Sequence, residues 1–223
     1  MVTLNAAEEE SIEAIKKWWN DNGKQLIAAV IVVFGGYGGW SLWQNTELVA
    51  SEMASDLYEQ ILEISLVEAG ESPTEQERSD IVRIAKELME SHSDSVYAQY
   101  GALFASQQHV TDNNLDAAEE ALGWILENPQ TGIFGNEDQG LVLTVTLRLA
   151  RIVLSKGDAE RALKIVNNVI PGSFEAGYAE LRGDIYSALG RYVDARDSYV
   201  AAQQAGSVSE VLQLKLSELP DDR

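Results

Sequence analysis

The longest apolar run in the chain covers residues 26–43, Leu-Ile-Ala-Ala-Val-Ile-Val-Val-Phe-Gly-Gly-Tyr-Gly-Gly-Trp-Ser-Leu-Trp, and it holds no charge. At helical rise these residues reach about 27 Å, close to the hydrocarbon thickness of a bilayer. Trp18 and Trp19 precede the run and Trp40 and Trp43 close it, as amphipathic rings do at membrane interfaces. The pattern predicts one transmembrane helix. Lys16, Lys17 and Lys24 lie on its N-terminal side, and no Lys or Arg follows it until Arg78. The positive-inside rule then places residues 1–25 in the cytoplasm as a tail and exports residues 44–223. A cleaved signal peptide would need a shorter apolar core and a small-x-small site. Here Gln44-Asn45-Thr46-Glu47 follows, so the segment reads as an anchor.

Beyond the span the periodicity is that of helices. Leu57, Ile61 and Ile64 share one face of residues 48–69, and Ile81, Ile84, Ala85 and Leu88 share one face of residues 75–91. Pro73 separates the two. Asp94 is placed to cap a third helix over 95–109, and Asn114 or Asp116 a fourth that ends near Asn128-Pro129. After a polar loop from Pro129 to Gly140, helices are predicted near 141–155, 159–170, 174–189, 192–205 and 208–218. Their connections are short, for example Lys156-Gly157-Asp158 and Gly190-Arg191, which makes neighbours antiparallel. No alternating strand pattern of useful length occurs. The fold class is all-α: an N-terminal transmembrane helix followed by a solenoid of α-hairpins.

These hairpins repeat. Gly183, Tyr186, Gly190, Tyr192, Ala195, Tyr199 and Ala202 follow the small-aromatic-turn-alanine order of a tetratricopeptide unit. Thirty-three residues earlier, Ala150, Val153, Gly157, Ala159, Ala162, Val166 and Val169 hold the same offsets. A weaker copy runs through Ser106, Asn113, Leu115, Ala118, Leu122 and Ile125, displaced by the inserted loop. Small residues where helices cross allow close packing, and larger ones fill the space between hairpins. Such an array presents a concave face built from the first helix of each hairpin. In this register Tyr100, Leu103, Gln107, Leu147, Arg151, Glu180 and Asp184 line that face, either as a partner groove or as ordinary surface and packing between repeats. Arg151 is expected to pair with Glu180 or Asp184 of the next hairpin. Within the span, Gly35 and Gly39 have the four-residue spacing of a helix-pairing face. Glycine is also common in membrane helices, and both readings stand.

Charge and composition narrow the function. The formal net charge is -20, and all but five of the 36 acidic residues lie after the span. So acidic a surface repels phosphate backbones, which excludes nucleic acid as a partner. There is no cysteine, hence no disulfide and no thiolate chemistry. His92 and His109 are the only histidines, and neither has a second ligand at zinc spacing. His109 takes the offset of Tyr186, a packing position between hairpins. Asp112, Asn114 and Asp116 resemble the start of a calcium loop, but Ala117 stands where glycine is required and Gly123 where the closing glutamate belongs. No phosphate-cradling glycine loop or nucleophile elbow is present. No metal, cofactor or catalytic residue is expected, and the chain reads as a non-enzyme.

Several stretches carry a family likeness. They are Glu13-Ala14-Ile15-Lys16-Lys17-Trp18-Trp19-Asn20-Asp21-Asn22-Gly23-Lys24 with the glycine-containing span, Leu147-Arg148-Leu149-Ala150-Arg151, and Leu181-Arg182-Gly183-Asp184. Together they resemble the YfgM-type ancillary subunits of the bacterial Sec translocon, over nearly the full length. The resemblance implies an inner-membrane protein of Gram-negative bacteria with its repeat domain in the periplasm. It implies association with the SecYEG channel and with a membrane-anchored periplasmic prolyl isomerase-like chaperone. It also implies a part in passing exported client proteins to periplasmic chaperones. From the residues alone, a scaffold or assembly factor for another cell-envelope complex fits as well.

Overall fold

The computed structural model describes residues 49, 51–66, 72–130 and 138–220. The proposed span, with Gly35 and Gly39, and much of the 129–140 loop lie outside them. Among the described residues no helix is long and apolar enough to cross a membrane.

The described residues are all-helical and contain no strand. Residues 51–65 form α1. The following helices are α2 (Glu75–Ser91), α3 (Val96–Thr111), α4 (Leu115–Glu127), α5 (Gln139–Ser155), α6 (Ala159–Asn167), α7 (Glu175–Ala188), α8 (Tyr192–Gln204) and α9 (Glu210–Glu218). A 3-10 turn, Gly172–Phe174, leads into α7. The helix starts follow capping chemistry. Thr74 and Glu77 form a reciprocal capping box at α2. Asn114, Asp138 and Asp158 cap α4, α5 and α6 through their side chains. The third helix departs by one residue from expectation: Ser95, not Asp94, is its N-cap, and its hydroxyl accepts from the Tyr97 N–H at 3.2 Å. Either residue type can cap, so only the backbone geometry decides.

Three hairpins, α3–α4, α5–α6 and α7–α8, carry the repeat. Their turns share one feature: Asn113, Gly157 and Gly190 all have positive φ, at 56°, 87° and 71°. Asn113 is the one described non-glycine residue in this conformation, and asparagine tolerates it better than most residues. The backbone thus equates Asn113 with the turn glycines of the other two repeats.

The crossing points show three packing solutions. Ser106 of α3 is buried and its hydroxyl donates to the Ala118 carbonyl at 3.1 Å. Ala150 of α5 is fully buried against Ala162 and Val166 of α6. At α7 the residue is Gly183, where even a methyl group would overlap the Tyr199 ring of α8. The larger aromatic is admitted because the facing position has no side chain.

Between hairpins, α6 packs on α7, and α5 also packs directly on α7. Tyr178 of α7 is buried and its hydroxyl donates to the Leu143 carbonyl of α5 at 2.8 Å. The second helices α6 and α8 do not approach one another as closely as α5 and α7 do. Upstream, Ile61 of α1 and Ile81, Ile84, Ala85 and Leu88 of α2 form one apolar cluster with Ala98 and Ala105 of α3. Downstream, α9 covers the last hairpin with Leu212 and Leu219 over Ala179, Ala195, Tyr199 and Ala202.

Candidate functional site

The seven residues expected on the inner face all fall on first helices: Tyr100, Leu103 and Gln107 on α3, Leu147 and Arg151 on α5, Glu180 and Asp184 on α7. Their chemistry changes along the array. On α3 the positions Val96, Tyr100, Leu103, Gln107 and Val110 recur at four- and three-residue steps, which places them on one face. Val96, Gln107 and Val110 are exposed, while Tyr100 and Leu103 are half-buried. Tyr100 also stands 6.0 Å from the Tyr58 ring of α1, which lies 5.4 Å from Tyr97 and 6.2 Å from Phe104. Burial, then the neighbouring Tyr100 and Tyr97, push the Tyr58 hydroxyl pKa upward.

On α5, Leu147 is half-buried against α7, within reach of Gly177, and Arg151 is exposed. The expected ion pair of Arg151 with α7 does not form. Glu180 and Asp184 instead hold Lys215 of α9, whose ammonium lies 2.9 Å from the Glu180 carboxylate and 2.7 Å from that of Asp184. Arg151 makes no ion pair among the described residues, and the cation that the two acids hold comes from α9. Asp184 also accepts a hydrogen bond from the Tyr199 hydroxyl at 2.9 Å. Burial, followed by the Asp184 carboxylate, raises the Tyr199 pKa well above its ordinary value. Burial pulls the Lys215 ammonium down, but the bonds to Asp184 and Glu180 outweigh it and its pKa is raised. These four side chains form a single charge cluster that neither periodicity nor spacing had assembled.

The outer side, where second helices stay apart, opens into a groove of about 620 Å³ between α4 and the α5–α6 turn. Its wall is an ion-pair network: Lys156 bonds Asp116 and Glu119, and Arg161 bonds Glu119. The hydrogen bonds from Arg161 and Lys156 hold the Glu119 carboxyl below the usual carboxylate range. Trp124 lines this groove and a second one of about 350 Å³ that includes His109, Val82 and Met89. His109 thus sits between α2, α3 and α4, as its repeat position requires. The acids of α4 at three-residue spacing were the only trace of this network in the sequence.

No group of three or more potential metal ligands occurs among the described residues. Asp116 and Glu119 of the outer groove and Glu180 and Asp184 of α7 are engaged by Lys and Arg.

Comparison with known proteins gives a consistent picture. Residues 16–221 match the tetratricopeptide repeat-like domain. An ancillary SecYEG translocon subunit of Haemophilus influenzae is 31% identical over 214 residues, covering 95% of this chain and 97% of that protein. The proteins of the same description from Escherichia coli and Neisseria gonorrhoeae are each 26% identical. They cover 95% of this chain, and 96% and 97% of their own lengths.

Proposed function

The chain belongs to the family of ancillary SecYEG translocon subunits, and we propose that it acts as a membrane-anchored interaction module beside the Sec channel. The observation that carries this reading is the extent of the match: 95% of the chain aligns with relatives described as translocon subunits. In this reading residues 26–43 anchor the protein in the bacterial inner membrane, the tail 1–25 is cytoplasmic, and residues 44–223 work in the periplasm. Gly35 and Gly39 pair the span with a neighbouring helix.

The inner face, from Tyr100 and Leu103 through Gln107, Leu147 and Arg151 to Glu180 and Asp184, is the partner groove. Its partners are the channel, a membrane-anchored prolyl isomerase-like chaperone and exported clients, which the module helps pass onward. No cofactor is involved and no bond is made or broken. Anchoring supports this economy: a tether holds the groove at high effective concentration near the channel exit, so weak contacts suffice.

The test is purification of the full-length protein from its own membranes in mild detergent, with mass spectrometry of what accompanies it. Recovery of the Sec channel and the chaperone, lost when residues 26–43 are replaced by an unrelated span, is the expected result. Recovery of a different envelope complex would remove the translocon from the function and leave an interaction module in place.

A further inference from the structure

The outer groove holds a glycine that the packing of the hairpins does not require. Gly101, Gly177 and Gly183 each face a neighbour: an added methyl would stand 3.0 Å from Leu88, stand 3.3 Å from Leu147, or overlap the Tyr199 ring. Gly123 lies inside α4, and a methyl there would meet nothing within 4 Å. Glycine is the poorest helix former after proline, and at this position no close helix crossing calls for it. The space beside it is the groove of about 620 Å³. Glu120 and Glu127 stand about one turn to either side of Gly123 on the same face of α4, and both line that groove. Both are exposed, and neither makes an ion pair among the described residues. The two cations of the groove are already engaged, Lys156 by Asp116 and Glu119, and Arg161 by Glu119. These pairs brace α4 against the α5–α6 turn and leave two uncompensated carboxylates. Half-buried Trp124 and Leu149 supply apolar surface beside them.

We infer that this groove takes an unfolded polypeptide segment carrying two arginines three residues apart. Seven residues separate Glu120 from Glu127, about 10.5 Å along α4. Polyproline II, a major conformation of unfolded chains, returns a side chain to the same face every third residue, about 9 Å on. Each arginine then meets one carboxylate, and the backbone between them passes over Gly123, where no side chain stands in the way. A guanidinium beside Trp124 stacks on the indole, while an acidic segment is repelled by the same carboxylates. The inference rests on the proposed work on exported clients for the source of such a segment, and it adds an outer surface with its own chemistry to the inner one.

The experiment uses the full chain in detergent and a fluorescent, end-blocked peptide Ala-Arg-Ala-Ala-Arg-Ala, followed by anisotropy. Binding should be saturable, and at least tenfold weaker for the peptide with glutamate in place of both arginines. Glu120→Gln with Glu127→Gln should weaken it at least tenfold. Glu59→Gln with Glu63→Gln on α1, which removes the same charge elsewhere, should change it less than twofold. Gly123→Leu fills the groove without changing the charge, and it should also weaken binding at least tenfold while the melting temperature holds or rises. Absence of binding overturns the inference. So does wild-type affinity in Gly123→Leu, or an equal loss from both glutamine pairs, which would reduce the effect to the attraction of an acidic protein for any basic peptide. Should Gly123→Leu lower the melting temperature, the two glutamine pairs decide alone. The Sec channel takes no part in this measurement, so failure of peptide binding and failure of the translocon reading remain distinct.

Discussion

The two ends of the inner face are built from equivalent positions and have opposite character. At α3 the surface is Val96, Tyr100, Leu103 and Val110, with no charged side chain in the stripe. At α7 the positions equivalent to Leu103 and Gln107 are Glu180 and Asp184, and both are occupied by Lys215. The same repeat geometry therefore supports an open apolar surface at one end and a filled acidic one at the other. An array can keep its fold while each repeat carries its own chemistry, since the residues at the crossings hold the hairpins and the inward positions are left free.

The largest effect should come from the crossing that permits the acidic end. Gly183→Val drives a branched side chain into the Tyr199 ring and should cost about 3 kcal/mol in urea unfolding. The equivalent change at the apolar end, Ser106→Ala, removes only the hydroxyl bond to the Ala118 carbonyl and should cost about 1 kcal/mol. Equal losses would show that the two crossings are not the different solutions described above.

Next in size is Lys215→Met. Hydrogen bonds to charged groups contribute roughly 1.5–3 kcal/mol, and partial exposure of this cluster reduces that to about 1–2 kcal/mol. Its pH dependence sharpens the comparison. The folded-state pKa of Lys215 is raised, so its contribution is complete below the ordinary lysine value of about 10.4 and is lost as pH rises through the folded value. Tyr199 is also raised and stabilises only while protonated, so its contribution too is lost in alkali. The stability difference between wild type and Lys215→Met should stay constant from about pH 7 to 10 and shrink above that. The Ser106→Ala difference should not change over the same range, since no titrating group takes part in that bond.

The smallest effect on stability is expected at Arg151→Glu. Its side chain is exposed and unpaired among the described residues, so melting should move by no more than about 0.5 kcal/mol, while capture of partners by the full-length protein falls several-fold. A loss of melting temperature as large as the loss of capture would make Arg151 a packing residue.

Much of this was written locally in the chain. The helix boundaries followed from caps and turns within a few residues of each end, such as Thr74 with Glu77 and Gly157 before Asp158. The buried face of α2 followed from the spacing of Ile81, Ile84, Ala85 and Leu88, all of them buried. Even the third repeat was legible, because Asn113 stood at the offset of two glycines and shares their backbone conformation. What escaped was the choice among long-range partners. Arg151 and Lys215 are both cations within a hairpin or two of Glu180, and only the placement of α9 decides that Lys215 reaches it. The grooves beside Trp124 were hidden for the same reason: they are spaces between helices, and periodicity describes one helix at a time.

The most direct test of the central claim is photocrosslinking in native membranes from the full-length protein. A photoreactive residue is placed in turn at Leu103 on the inner face and at Gly123, where nothing crowds a side chain on the outer one. The account expects Sec-channel or chaperone adducts from Leu103 and few from Gly123. Adducts from Gly123 with none from Leu103 would contradict it.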